Sequence, residues 1–200
     1  MKYQTIFLED WIKDLYDKLD IKNPNQLNIK NISENIGIRL TYRNVTSRFY
    51  KNEIIIDNRQ SLQEQWQEFG HELCHALRHE GNQLILPNSF LILQECQANT
   101  FMYHFCVPTF MLLEFKLNSL SNVKDGVPLI SKTFNVTEKF AEERLKQFKR
   151  KMLQAKSDAE HRAYMEAKYP KVNSDNYSEE TKAILNKLYK QLEKKKEAAI

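Results

Sequence analysis

The chain holds five histidines in 200 residues, and two of them, His71 and His75, stand four apart with Glu72 next to the first. On a helix, side chains at that spacing emerge about 40° apart and one turn along the axis. Two imidazoles so placed can grip one metal ion, and the carboxylate between them can take a proton from water at the same place. Random placement of 5 His and 26 acidic residues gives His-acid-x-x-His in about one chain of this composition in sixty, so the motif needs support from its surroundings.

A catalytic zinc takes three protein ligands and keeps one position open. The stretch LILQECQANTFMYHF offers the third. Glu95 falls on a helical face with Leu91, Ala98, Met102 and Cys106, and a carboxylate buried among them needs a strong partner, such as zinc, to offset desolvation. Asn99, one turn further on, is expected to orient a ligand imidazole from behind. The other histidines fail on geometry. His79 lies about 12 Å along the axis from His71. A third histidine of the metzincin kind would fall at position 81, which is Gly81. His104 points away from the Glu95 face, and His161 reads as a surface residue. Cys74 and Cys96 read as small buried side chains.

The elements that must position these residues follow from periodicity. Ser61 and Glu64 form a capping box at the start of the histidine helix. Leu62, Trp66, Phe69, Leu73 and Leu77 mark its buried stripe, opposite His71 and His75. Gly81 is the expected C-terminal cap. The Glu95 helix runs from about Ser89 to Cys106, stops at Pro108, and is followed by another over Phe110 to Leu117. Upstream, Phe7, Trp11, Leu15 and Leu19 pattern a first helix, and NISENIGI a second that ends near Gly37. Three β-rich runs, Ile38–Tyr42, Ser47–Tyr50 and Glu53–Asp57, read as a small antiparallel sheet. Lys124-Asp125-Gly126 reads as a turn. After it, helix, turn and helix follow, with Thr137 as cap and Phe140, Ala141, Leu145 and Phe148 inward. Ala155 to Tyr177 is polar and weakly periodic, and a last helix carries Leu185, Leu188 and Leu192 on one stripe.

The fold class expected is α+β and mainly helical: a three-stranded antiparallel sheet on a zincin-type helix pair, then a helix-turn-helix-like segment and a C-terminal helix. The expected divisions are a core over 1–122, the helical module over 123–154, and a polar linker with an amphipathic helix over 155–200. Composition agrees, with 42% hydrophobic residues, 11% aromatics and only 4 Gly and 5 Pro. These values exclude a disordered chain. No apolar run approaches the ~20 residues of a membrane span. Glu9 and Asp10 interrupt any leader-like stretch, and 3 cysteines without a leader point to reduced thiols in the cytoplasm.

The segments FGHELCHALRH (69–79) and ECQANTFMYHFCVP (95–108) resemble the two metal-binding helices of the ImmA/IrrE family of metallo-endopeptidases. FNVTEKFAEERLKQF resembles the helix-turn-helix-like segment that follows the protease core in that family. The resemblance covers roughly residues 5 to 150. It implies that His71, His75 and Glu95 bind zinc and that Glu72 is the general base. It also implies a substrate: a helix-turn-helix repressor of a mobile genetic element, cleaved to trigger induction. Two departures stand out. Cys74 replaces the usual Gly, and Tyr103-His104 replaces a small-then-acidic pair.

Two rival readings belong to other classes. A DNA-binding regulator with a structural zinc would use Lys132, Lys139, Arg144, Lys146, Lys149 and Arg150. Glu138, Glu142 and Glu143 crowd the same helix and oppose phosphate, so direct DNA binding is not expected. A non-catalytic adaptor that holds a repressor would not need Glu72. The sequence assigns no oxyanion donor.

Overall fold

The structure, a computed structural model, describes residues 3–79, 86–115, 123–170 and 176–197. The chain divides into two compact units, residues 1–154 and 155–200. In the first, α1 (Phe7–Lys18) and α2 (Ile29–Ile36) precede β1 (Arg39–Arg43), β2 (Arg48–Tyr50) and β3 (Glu53–Asp57). Then come α3 (Leu62–Arg78), α4 (Asn88–Cys106), α5 (Thr109–Glu114), α6 (Val123–Phe134) and α7 (Glu138–Lys168), whose C-terminal part belongs to the second unit with α8 (Glu179–Glu197). The described residues are mainly helical with one small sheet. No described helix is long and apolar enough to cross a membrane.

The sheet is mixed, and the expected all-antiparallel arrangement is corrected. The strand order is β1-β3-β2. β2 and β3 form an antiparallel hairpin, whereas β1 pairs with β3 in parallel, Arg39 opposite Glu53 through Arg43 opposite Asp57. The local chemistry explains the hairpin. Lys51 and Asn52 both take positive φ, 45° and 64°, as a two-residue turn with the twist of its strands requires. With β2 on one side of β3, the free side accepts β1, which runs the same way as β3 because β2 has already returned the chain. Gly37, at φ 80°, ends α2 in the left-handed conformation that glycine adopts without strain.

The capping box of α3 is present: Ser61 Oγ accepts from the Glu64 N–H and the Glu64 side chain reaches back to the Ser61 N–H at 2.9 Å. Trp66, Phe69 and Leu73 are buried and Leu77 is partly so. Leu62 is 73% exposed, since the first residue of the helix projects beyond the core. The expected cap at Gly81 lies outside the described residues, as does Leu117 beyond α5. α3 packs against α4 and against β2 and β3. The α3–α4 seam is aromatic, with Phe69, Phe101 and Phe105 fully buried and Tyr16 of α1 stacked on Phe105 at 5.1 Å. Tyr16 donates its hydroxyl to the Phe105 carbonyl at 2.8 Å.

Two sequence readings change further along. Lys124-Asp125-Gly126 is the first described turn of α6, not a break. Burial of Val127, Ile130 and Phe134 outweighs the roughly 1 kcal/mol that a helical glycine costs. The stretch after Ala155 is helical as far as Lys168. Alanine, lysine, glutamate and arginine are strong helix formers and sustain a solvated helix without an apolar stripe. The turn between α6 and α7 is as read. Thr137 Oγ1 accepts from the Phe140 N–H at 3.3 Å, and Phe140, Ala141, Leu145 and Phe148 are buried.

Arg144 breaks the expectation of a basic surface on α7, since it is 1% exposed. Its Nε donates to the Val107 carbonyl at 3.1 Å and its Nη2 to Thr109 Oγ1 at 2.7 Å. Thr109 Oγ1 in turn donates to Glu9 Oε1 at 2.6 Å, and Tyr3, the Ile6 N–H and Lys151 also donate to the Glu9 carboxylate. A buried guanidinium and carboxylate, joined through one hydroxyl, thus tie α7 to α1 and α5. Neither charge could stay buried alone.

Candidate metal centre

α3 turns its apolar stripe to the core and carries His71, Glu72 and His75 toward α4. His71 Nε2 and His75 Nε2 lie 3.1 Å apart. The Glu95 carboxylate straddles both, with Oε2 3.2 Å from His71 Nε2 and Oε1 3.3 Å from His75 Nε2. Among the described residues, His71, His75 and Glu95 form the one group of three such side chains placed to hold a metal ion. Hydrogen bonding alone does not satisfy this triangle. Were both Nε2 atoms protonated to reach Glu95, the two hydrogens would face each other across 3.1 Å. A cation accepted by all three lone-pair donors removes the conflict.

The ligand set sits in unequal surroundings. His75 is 5% exposed, and burial pulls its imidazole down to about 4, so it is neutral at pH 7 with a lone pair to offer. Glu95 is half-exposed, which corrects the expectation of a carboxylate buried on an apolar face. Ala98 and Cys106 are buried and Leu91 and Met102 partly so, while Glu95 on the same face is exposed. A site with one solvent-facing ligand keeps an entrance for substrate.

Glu72 is buried, 8% exposed. Burial pushes its carboxyl up to about 7, with Glu68 and Glu95 adding to the rise and the Phe49 backbone N–H and Arg48 opposing it. Phe49 and Arg48 belong to β2, so the edge strand of the sheet runs beside Glu72. A carboxylate poised near neutrality is suited to take and return a proton. Glu68, one turn before Glu72, carries no sequence signal of its own. Its half-buried carboxyl is also pushed up by burial, and only the packing of β3 and α3 reveals it.

Asn99, expected behind an imidazole, is exposed. At His75 Nδ1 stands His79, whose Nδ1 lies 2.9 Å away. His104 is buried beside Glu9, with its Nδ1 3.5 Å from Glu9 Oε1, and it is remote from the triangle as expected. Tyr103 is stacked on Phe140 at 4.4 Å, so it serves packing. Cys74 is buried and burial pushes its thiol up to about 12, an inert state. Cys96 is exposed, contrary to its reading as a buried residue.

Known proteins are similar to the chain in sequence. The chain is 39% identical over 158 residues to the uncharacterized protein YqaB of Bacillus subtilis, an alignment covering 77% of this chain and 91% of that protein. It is 40% identical over 148 residues to the phage-like element PBSX protein XkdA of the same organism, covering 72% of this chain and 74% of that one. The IrrE N-terminal-like domain, Peptidase_M78, matches residues 25–146, a span that takes in all of α3, α4 and the turn into α7. On that match and on those two relatives, the chain belongs to the ImmA/IrrE family of metallopeptidases.

Proposed function

We propose that this protein is a zinc-dependent endopeptidase of the cytoplasm that cleaves a helix-turn-helix repressor of the mobile element encoding it. The observation that carries this reading is the convergence of His71 Nε2, His75 Nε2 and the Glu95 carboxylate, with buried Glu72 on the same helix. Zinc fits the donor set. Bonds of ~2.0–2.1 Å at tetrahedral angles put ligand atoms about 3.3 Å apart. Here the two nitrogens stand 3.1 Å apart, each with its own nearer oxygen of Glu95, Oε2 at 3.2 Å from His71 and Oε1 at 3.3 Å from His75, and one donor atom from each residue falls within 4.8 Å of the others. Two nitrogens and one carboxylate oxygen also match the histidine-rich chemistry of catalytic zinc better than the all-oxygen sites of calcium or magnesium.

Bound there, the ion supplies Lewis acidity for the scissile carbonyl and for water. The chain's own contribution is proton transfer and positioning. Glu72, raised toward neutrality, accepts the proton of the attacking water and returns it to the departing amine. β2 is an edge of the sheet, and an extended peptide laid along it by main-chain hydrogen bonds would pass beside Glu72. The cysteines Cys74, Cys96 and Cys106 are unpaired, in keeping with a reducing compartment.

The repressor as substrate rests on the resemblance and on the phage-like element named for one relative. The DNA-reading alternative has less support. Arg144 is buried, while Lys146 and Arg150 lie 2.8 and 3.3 Å from Glu142 and Glu143. The test is incubation of the zinc-loaded protein with the repressor of its own element, with and without chelator. Chelator-sensitive cleavage by the parent, absent in Glu72→Gln, is the expected result. Cleavage that persists in Glu72→Gln would overturn the mechanism.

A further inference from the structure

We propose that His79 is a positioning residue that holds His75 in the tautomer presenting its Nε2 lone pair to the metal, and that Gln97 fixes His79 in turn. The inference rests on the reading of His71, His75 and Glu95 as the ligand set. It concerns a relay that neither the histidine motif nor the family assignment contains.

The geometry is a chain of hydrogen bonds that runs from the triangle through two rings to α4. His75 Nε2 faces the triangle, and His75 Nδ1 faces His79 Nδ1 at 2.9 Å. Two ring nitrogens at that distance share one proton, so one ring donates and the other accepts. If His79 donated, the neutral His75 would carry its hydrogen on Nε2, aimed into the triangle where a cation must bind. If His75 donates, its Nε2 is free as a ligand and His79 must carry its own hydrogen on Nε2. That atom lies 3.1 Å from Gln97 Oε1, a carbonyl that can only accept. The second assignment satisfies every atom from Gln97 to the metal position. A neutral ligand imidazole needs its outer N–H held in this way, and the acceptor both sets the tautomer and raises ligand basicity.

The scaffold explains why His79 is available. His71 and His75 stand four apart on one side of α3, His79 follows four later as the residue that caps the helix at its C-terminal end, and the rings of His75 and His79 meet edge to face at 4.8 Å. The rise that puts His79 too far from His71 to share its ion puts it against the back of His75. Gln97 comes from α4, which also supplies Glu95. One helix therefore contributes a ligand on the metal side and an acceptor behind the opposite ligand. His79 Nε2 also lies 4.0 Å from Cys74 Sγ, the residue that stands where the family usually has glycine.

The test measures zinc affinity by competition with a chromophoric chelator, and ring tautomers by ¹⁵N NMR of the unmodified zinc-loaded protein. His79→Phe keeps a ring but removes the acceptor, and should weaken zinc ~10–100-fold. His79→Gln, whose Oε1 can accept from His75, should recover most of that loss. Gln97→Leu, at an exposed position, should weaken zinc less than His79→Phe. In the unmodified protein His75 should be protonated on Nδ1 and His79 on Nε2. Parental affinity in His79→Phe, no recovery in His79→Gln, or a His79 protonated on Nδ1 would each overturn the relay. Because the tautomer is read in the unmodified protein, a misfolded variant leaves the proposal open to refutation. His75→Ala separates the two levels: full zinc binding there would refute the ligand assignment itself, not the relay.

Discussion

Gly70 and Cys106 face each other across the α3–α4 seam so closely that a Cβ on Gly70 would stand 2.9 Å from Cys106 Sγ. The same Cβ would meet Phe105 Cδ1 at 3.3 Å and the Met102 Cα at 3.6 Å. Gly70 immediately precedes His71, so the contact that brings the helices together also sets the distance from the histidines to Glu95. Glycine is needed here for close approach, and its cost to the helix is recovered in the aromatic core around Phe69 and Phe105.

Gly70→Ala should therefore destabilise the fold by ~1–3 kcal/mol, the usual range for overpacking. Urea unfolding of the metal-free protein measures it. Cys106→Ala in the Gly70→Ala background should restore part of the loss, because the nearest atom is removed while Phe105 remains close. Equal stability of the two Gly70→Ala proteins would show that the seam yields elsewhere.

Much of the centre is legible in the sequence, for reasons local to the helices. The capping box starts α3 at Ser61, and the four-residue spacing puts His71 and His75 on one side, so two ligands follow from backbone geometry alone. Glu95 follows from order and spacing, although the argument from a buried carboxylate does not hold, since its side chain is half-exposed. The rise along the axis that keeps His79 from sharing an ion with His71 makes it the neighbour of His75. The parallel pairing of β1 with β3 was not legible, since alternation identifies a strand but not which side of another strand is free. Arg144 looks like any surface cation in sequence. Its burial depends on Thr109, Val107 and Glu9, which are 35 to 135 positions away.

Replacing the ligands separates binding from chemistry. His71→Ala, His75→Ala and Glu95→Ala should each bring bound zinc well below one per chain and abolish hydrolysis. Glu72→Gln should keep zinc and lose hydrolysis, because the amide preserves shape but cannot take a proton. Asn99→Ala should be milder than these, with a loss of ~10–100-fold in affinity or activity if it orients a ligand imidazole. Metal analysis and peptide hydrolysis on the same preparations decide the matter. Near-stoichiometric zinc in Glu95→Ala would remove Glu95 from the ligand set.

Acid should destabilise the protein through the cluster around Glu9. Burial pulls the His104 imidazole below its ordinary 6.5, with the Arg144 guanidinium adding to the effect and Glu9 opposing it. Lys151 and Tyr3 complete the groups facing that cluster. The unfolded chain then binds a proton on His104 before the native state does, so stability falls as pH drops below about 6.5. Burial raises the Glu9 carboxyl, but hydrogen bonds from Thr109, the Ile6 N–H and Tyr3 more than offset this and hold it below its ordinary 4.5. Its contribution is lost at still lower pH, in the same direction. His104→Gln should flatten the upper part of this decline, measured as urea midpoints of metal-free protein against pH. A parent as steep as the variant between pH 7 and 5 would refute the role of His104.

The α6–α7 segment is expected to dock the protein substrate and not to read DNA. Val123, Glu143, Lys146, Lys149, Arg150 and Leu153 line one surface groove, an apolar floor with charge of both signs around it. Such a lining suits a protein surface, whereas the duplex DNA backbone presents charge of one sign only. The native ion pairs Lys146–Glu142 and Arg150–Glu143 would have to be spent to contact phosphate. A reader with 6–10 phosphate contacts loses ~10³–10⁵ in affinity between 50 and 200 mM salt, and here binding should already be weak at the lower value, with no preference for operator sequence. Reversing charge at Lys146 and Lys149 should slow cleavage of the intact repressor while leaving hydrolysis of a short peptide spanning its scissile bond near the parental rate. Parallel assays on the two substrates measure the difference. Equal loss on both would point to a damaged core and sink the docking role, and sequence-preferring DNA binding at physiological salt would restore the regulator reading.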